Sequence, residues 1–372
     1  MRPQSNVNRR RIYPERSRRV TPRRATRSSA REPLRIGLLG PGRIAEKSIA
    51  PAIAASAAAR LEVVGSRSLE RAQALARPFH ARAVAGYDAV VQDPSVECVY
   101  IALPNALHAE WALKAAAAGK HVLCEKPACQ SLAETERVVA ACRRAGGRFM
   151  EGYMFRSHPQ HAQVRERLRR GELGEVHHLE AAFGFPPLPQ EDFRYQRTLG
   201  GGALADLAGY PIAAARLLFG EEPEGVSALA EGDPAYGVDI RGTLQLRFPS
   251  GRTAQAAFGF PYSYRNTYAL WGSRGRLEVA RAFSIPPTLN PSITLMTEQG
   301  VTAIPSQPGD HFRLMIDTFC DAVRSSTRTD DGHEADALAQ ARVMDAVRES
   351  ARQHGAYIGI PSGPPAKKFS HT

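Results

Sequence analysis

Leu34-Arg35-Ile36-Gly37-Leu38-Leu39-Gly40-Pro41-Gly42-Arg43-Ile44-Ala45 decides the fold. Its first six residues are an apolar run of strand length, and a long helical run, Glu46 to Ala59, follows. Between the two stands the spacing G-x-G-x-x-A. Gly40 permits the tight turn, Gly42 lets a pyrophosphate approach the backbone, and Ala45 lets the helix pack closely on the strand. Free amides and the dipole at the helix start favour phosphate. A strand, glycine turn and helix in this order predict a dinucleotide-binding fold.

The next strand, Leu61 to Gly65, ends in Ser66-Arg67-Ser68. A cofactor lacking a 2′-phosphate usually meets an acid there, bound to the ribose hydroxyls. Glu62 is the only nearby acid on this strand, and it sits at the wrong end. Arg67 can pair with a phosphate and Ser66 can donate to it. Ser68 reads equally well as the cap of the next helix, Leu69 to Ala76. NADP is therefore expected, with NAD the less favoured cofactor.

The rhythm of strand and helix continues. Val96 to Ala102 is a buried strand, and Leu103-Pro104-Asn105 leads into a helix over Ala106 to Ala118. Asn105 and His108 open that helix, each readable as a cap or as a ligand. Gly119-Lys120-His121-Val122-Leu123-Cys124-Glu125-Lys126-Pro127 is a short strand stopped by a proline that cannot donate to a ladder. Lys126 then lies at the carboxyl end of a buried strand, the edge where open α/β sheets bind ligands. A helix over Ser131 to Ala145 and a strand over Arg148 to Gly152 complete the first half. The pattern predicts a doubly wound parallel sheet.

Composition excludes several classes. With 43% apolar and 23% charged residues the chain is ordinary for a globular protein. No run approaches the roughly 20 apolar residues of a membrane helix. Five cysteines without a CxxC or Cys/His cluster read as reduced thiols in the cytoplasm. The net charge of +12 misleads, because residues 1–32 hold 11 arginines against 2 acids and account for nine of the twelve charges. The remaining 340 residues carry only three and offer no basic face for nucleic acid. The arm is expected to be disordered. Its Asn8-Arg9-Arg10-Arg11-Ile12 lacks the apolar segment of an export signal.

Five segments carry a resemblance: Gly40 to Ala45, Pro104-Asn105-Ala106-Leu107-His108, Gly119 to Pro127, Glu151-Gly152-Tyr153-Met154-Phe155-Arg156-Ser157-His158-Pro159, and Gly200-Gly201-Gly202-Ala203-Leu204-Ala205-Asp206-Leu207-Ala208-Gly209-Tyr210. In this order they resemble the glucose–fructose oxidoreductase and inositol dehydrogenase (Gfo/Idh/MocA) family. The branch most similar holds the dimeric dihydrodiol dehydrogenases and the NADP-dependent xylose dehydrogenases. Many relatives carry His at the position of Tyr210, and this chain has the Tyr variant. The resemblance implies that Lys126, Asp206 and Tyr210 line the active site and that the Lys126–Pro127 bond is cis. It also implies a homodimer or a higher homo-oligomer. Cofactor contacts are expected from Gly40, Gly42, Arg43, Ile44, Ser66, Arg67, Pro104, Asn105, His108, Glu125 and Lys126. Substrate contacts are expected from Arg156 and His158.

The second half changes texture. Pro159 to Arg170 reads as a helix, Glu175 to Phe185 as a strand, and Pro186 to Leu199 as a charged loop. Asp206 and Tyr210 then stand four apart on an expected helix, which puts them on one face. Thr243 to Phe248, Thr253 to Phe260 and Thr267 to Trp271 alternate as strands, with turns at Pro249-Ser250-Gly251-Arg252 and Gly272-Ser273-Arg274-Gly275. Helices over Asp310 to Arg324 and His333 to His354 close the chain. The expected class is α/β, a Rossmann sheet followed by an α+β domain on a mostly antiparallel open sheet. The divisions are a basic arm at 1–32, a dinucleotide domain at 33–155, a substrate-binding and dimerisation domain at 156–355 and a tail at 356–372.

Ala254, Ala256 and Phe258 suggest a sheet face that buries against a second copy. His333, His311 and Asp310 have no metal-ligand spacing, and no metal is expected. Tyr262, Tyr264 and Arg265 either frame the substrate mouth or are plain sheet surface. The expected activity is hydride transfer between nicotinamide and the carbinol carbon of a sugar, polyol or cyclic diol. The alternative is a non-catalytic NADP-sensing regulator of the same fold.

Overall fold

The computed structural model describes residues 32–325 and 332–361. The basic arm, Glu32 apart, lies outside them, as do residues 362–372 of the expected tail. The first sheet has six strands, all parallel: β1 (Leu34–Leu39), β2 (Ala59–Ser66), β3 (Arg82–Ala85), β4 (Cys98–Ile101), β5 (His121–Glu125) and β6 (Phe149–Gly152). Their order is β3-β2-β1-β4-β5-β6. The order reverses between β1 and β4, which is the crevice where doubly wound sheets bind dinucleotides.

Five helices belong to this layer: α1 (Ala50–Ala55), α2 (Leu69–Ala76), α3 (Asp88–Val91), α4 (His108–Ala117) and α5 (Leu132–Arg144). Val90, Trp111, Ala112, Ala115, Val138 and Cys142 fill one face of the sheet against Leu39, Val99, Val122 and Cys124. Gly37 and Gly65 let α3 approach, since a Cβ on either would strike the Val90 side chain. The helix expected from Glu46 to Ala59 is shorter. Residues 45–49 form a π-helical turn, α1 ends at Ala55, and β2 already begins at Ala59. Ser56 stands at its end, held by one local and one long-range contact. Its Oγ accepts from Ala58 N and donates to Asp317 Oδ1 on a distant helix.

The second sheet has nine strands: β7 (Val176–Gly184), β8 (Gly225–Asp233), β9 (Val238–Arg247), β10 (Thr253–Gly259), β11 (Arg265–Gly272), β12 (Gly275–Val279), β13 (Ser292–Thr297), β14 (Gly300–Pro305) and β15 (Ile358–Gly359). Their order is β14-β13-β12-β11-β7-β10-β9-β8-β15, and only β7 and β10 pair in parallel. Residues 358 and 359, assigned to a tail by sequence, instead form β15 against β8. Four helices complete the body: α6 (Pro159–Arg169), α7 (Gly209–Phe219), α8 (His311–Arg324) and α9 (His333–Arg352). The stretch Arg197–Phe219 is long and apolar enough to span a membrane, yet the most apolar part of it is 89% buried within the protein.

One expectation about this sheet is corrected. Ala254, Ala256 and Phe258 are buried, inside the core that α7 shares with Leu244, Leu246 and Leu270. Side chains alternate along a strand, so the opposite face carries Gln255 and Ala257. Across the sheet that face shows Thr267, Ala182, Ala257, Thr243 and Leu229 in one row.

Candidate active site

β5 delivers Lys126 to the edge of the first sheet. The Lys126–Pro127 peptide is cis. His108 braces this corner. Its Nδ1 lies 2.7 Å from Pro127 O and its Nε2 2.8 Å from Leu103 O, and the ring is fully buried. A cofactor contact was expected of His108, but both of its ring nitrogens are engaged by carbonyl groups. Asn105 Nδ2 donates to Gly200 O at 2.9 Å, which ties the start of α4 to the glycine run of the second half.

That run brings Asp206 to Lys126. Lys126 Nζ donates to Asp206 Oδ1 at 2.7 Å and to Asp206 O at 2.9 Å. Residues 204–208 form a π-helical turn ahead of α7, and Asp206 and Tyr210, four residues apart, both face Lys126. Asp239 fixes this turn, its Oδ2 accepting from Leu204 N at 2.5 Å. Burial alone would drive the Asp206 carboxyl up. Arg194 and Lys126 overcome it and hold the group well below the usual carboxylate range. Arg194 Nε donates to Asp206 Oδ2 at 2.6 Å. One carboxylate therefore bridges two cations.

Tyr210 lies beneath the same ammonium, with Lys126 Nζ 5.1 Å from its ring centroid. Phe183, Tyr153, Phe283 and Phe155 surround the ring at 5.0, 5.4, 5.6 and 5.9 Å. Its hydroxyl donates to Met154 Sδ at 3.8 Å. Burial, then the Glu125 and Asp206 carboxylates, push this phenol well above its ordinary value. The expected base would need the opposite shift; a phenol held this way keeps its proton. Glu125 stands beside it, accepting from Tyr100 Oη at 2.8 Å, and burial raises its pKa against the pull of that bond and of Lys126.

The expected substrate residues lie elsewhere. Arg156 pairs with Asp336 on α9. His158 is 1% exposed, and its Nδ1 caps α6 by accepting from Gln160 N. Neither is paired with Lys126, whose ammonium is bound to Asp206.

The glycine turn fits a dinucleotide. A Cβ on Gly40 (φ 92°) would come within 2.7 Å of Ala102 O, whereas one on Gly42 would meet nothing within 4 Å. Gly40 thus seats the turn against β4, and Gly42 faces an open cradle. Ile44 is 39% exposed at its rim. At the end of β2, Ser66 accepts from Ser68 N and keeps its own proton to donate. Ser68 caps α2. Arg43 and Arg67 are exposed. Arg71 reaches from α2 to Pro41 O at 2.8 Å, joining the glycine turn to the end of β2. Sequence reading missed Arg71, Arg194, Tyr100 and Asp239. Only Arg71 carried a local signal, one helical turn beyond Arg67. Among the described residues no cluster of His, Cys, Asp and Glu could hold a metal ion.

Comparison with known proteins bears on this geometry. The model "Oxidoreductase family, NAD-binding Rossmann fold" matches residues 34–153, and the "GFO/IDH/MocA C-terminal domain" matches residues 161–278. A dTDP-3,4-didehydro-2,6-dideoxy-alpha-D-glucose 3-reductase of Actinomadura kijaniata is 38% identical over 320 residues, covering 86% of this chain and 96% of its own. A D-xylose 1-dehydrogenase (NADP(+)) of Haloferax volcanii is 36% identical, covering 86% of this chain and 97% of its own. The crystal structure of a 3-ketoreductase from Actinomadura kijaniata in complex with NADP and TDP-benzene superposes with a TM-score of 0.82 at 38% identity, over 86% of this chain and 98% of that one. With both halves matched in order and the likeness running through the whole described body, the chain belongs to the Gfo/Idh/MocA family of oxidoreductases.

Proposed function

We propose that this protein is an NADP(H)-dependent oxidoreductase acting at the carbinol or keto carbon of a sugar, polyol or cyclic diol. The observation that carries this reading is the 2.7 Å ion pair between Lys126, at the cofactor edge of the first sheet, and Asp206 from the second half. NADP supplies the hydride acceptor, or NADPH the donor. The curated relatives support this class, since they include a keto-sugar reductase and an NADP-dependent xylose dehydrogenase.

We assign the roles as follows. Residues 33–155 hold the cofactor, with Gly40, Gly42, Arg43 and Ile44 at the pyrophosphate and Ser66 and Arg67 at the 2′-phosphate. Residues 156–355 present the substrate. Lys126, held by Asp206, polarises the substrate oxygen as charge develops on it. Tyr210, kept protonated by its surroundings, donates to the alkoxide that forms in reduction. A phenol with a raised pKa is a better match to an alkoxide than to an alcohol. The same residue serves either direction, since the group that donates a proton in reduction accepts it in oxidation. Arg194 keeps Asp206 ionised.

The five cysteines are free and buried, in keeping with a cytoplasmic enzyme. We place a two-fold dimer on the outer face of the nine-stranded sheet. NADPH consumption against a panel of keto sugars, with NADP reduction by xylose and diols in parallel, tests the reading. Tight NADPH binding without turnover on any of them would leave the regulator instead.

A further inference from the structure

A second cluster stands behind Phe283, which packs against Tyr210. β7 ends at Gly184 beside Gly259 of β10 and Arg265 of β11, so the three strands share one edge. From that edge β7 runs into the loop that carries Arg194. The connection from β10 to β11 carries Tyr262 and Tyr264, which are 39% and 46% exposed. The chain leaving β12 passes the same edge at Arg281, Phe283 and Ser284.

Asn266, 1% exposed, ties these pieces together. Its Oδ1 accepts from Phe283 N at 2.7 Å. Its Nδ2 donates to Tyr264 Oη at 3.1 Å and to Ser284 O at 3.2 Å. Phe283 turns inward against Tyr210. Arg281 turns toward Tyr264, its guanidinium 4.7 Å from that ring centroid.

The chemistry of this rim is one-sided. Tyr264 Oη accepts from Asn266 and keeps its proton to donate. The Arg281 guanidinium is half-buried, and among the described residues it has no carboxylate or carbonyl partner. Other buried arginines are committed, as Arg194 is to Asp206 and Arg216 to Glu222. A cation stacked in place with all its N–H groups free is preset for a planar or tetrahedral oxyanion. Stacking on Tyr264 lowers the entropy lost when it binds. The exposed ring of Tyr262, packed over Gly184 and Gly259, is a fixed aromatic platform beside it.

We propose that Arg281 and Tyr264 bind the phosphate of a substrate that is a sugar joined to a nucleoside diphosphate, with Tyr262 under the base. This rests on the oxidoreductase reading above and names its substrate class. Phe283, shared by Tyr210 on one side and the Asn266 cluster on the other, sets the sugar between the reacting centre and the phosphate. A base stacked on a tyrosine adds affinity that a simple glycosyl phosphate lacks.

Calorimetric titration of the NADP-saturated protein tests this, with dTDP, UDP and glucose 1-phosphate as probes. We expect dTDP or UDP to bind at least tenfold tighter than glucose 1-phosphate. Arg281→Ala should weaken the nucleotide at least tenfold, and Arg281→Lys should restore part of it. Tyr262→Ala should weaken dTDP and UDP but not glucose 1-phosphate. Equal nucleotide affinity in Arg281→Ala and the unmodified protein would overturn the subsite. Equal affinity for glucose 1-phosphate and both nucleotides would overturn the nucleoside assignment. NADP binding, measured first in each protein, keeps the two readings apart. Its loss in the unmodified protein would strike the oxidoreductase reading, whereas intact NADP binding with no nucleotide binding strikes only this subsite.

Discussion

At the scale of single residues, the centre is one carboxylate between two cations with a protonated phenol beneath. Removing the ammonium or the phenol should therefore reduce turnover while leaving the cofactor bound. We expect Lys126→Met and Tyr210→Phe each to lose two or more orders of magnitude in kcat, the range of a lost acid or base. The double variant should be little worse than the poorer single one, because groups acting as a unit are not additive. Near-normal turnover of Tyr210→Phe would move proton donation to Lys126, and near-normal turnover of both would remove the mechanism. Cofactor choice is also a matter of single residues. Arg67 stands exposed at the end of β2 with no acid beside Ser66. NADP should bind at least tenfold tighter than NAD, about 1.4 kcal/mol. Arg67→Ala should erode that preference and leave NAD affinity nearly unchanged, and equal affinities in the unmodified protein would sink the assignment. Lys126 and Arg67 could be located at strand ends by local signals, whereas Asp206 and Tyr210 were expected only from the family resemblance. Arg194 was expected from neither, since its partnership with Asp206 depends on how a twelve-residue excursion folds back. Arg156 misled for a related reason, because its partner Asp336 lies 180 residues away.

At the scale of elements, the strand and helix alternation of the first half was readable because each unit pairs with its neighbour through short connections. The second half was readable as strands but not as a register. Period-two alternation gave Ala254, Ala256 and Phe258 one face, and only the packing of α7 decides that this face is the inner one. Nor did sequence show that α6, α8 and β11 would meet through histidines. His158, His161 and His311 are 1%, 1% and 3% exposed. Burial lowers them to about 4, about 3 and about 3. His161 Nδ1 lies 2.9 Å from Tyr268 Oη, and the His158 and His311 rings stand 6.2 Å apart. The folded state thus keeps all three neutral, while the unfolded chain takes up protons below about pH 6.5. Stability contributed by this junction is complete above that value. It is lost as the pH falls toward 4 and then 3. One pKa unit at each of the three would amount to about 4 kcal/mol, a large part of a domain's roughly 5–15. We expect the melting temperature to fall steeply between pH 6.5 and 4.5, and His311→Gln to fall less over the same interval. Parallel pH profiles for the two proteins would show that the junction does not govern acid stability.

At the scale of the whole molecule, the nine-stranded sheet has helices on one face only among the described residues. The other face carries a row of small and mixed side chains, Thr267, Ala182, Ala257, Thr243 and Leu229. Ala182, at the centre of the row, is only 6% exposed. Trp271, 65% exposed, stands four residues beyond the row on β11. A flat, small-residue row flanked by a large aromatic suits self-association through a two-fold axis, in which each copy offers the same patch to the other. Glu180, Gln245 and Gln255 beside the row give it a hydrogen-bonding rim, which distinguishes an interface from the interior of a core. A charge in the centre of such a contact meets its own copy across the axis, so one substitution places two like charges close together. We expect light scattering at micromolar concentration to give twice the chain mass of 40.5 kDa. Ala257→Arg should reduce it to the monomer mass and leave NADPH binding intact, since Ala257 faces away from the core in which Ala256 and Phe258 are buried. A monomer mass for the unmodified protein would refute the assembly. An unchanged dimer in Ala257→Arg would move the interface off this face.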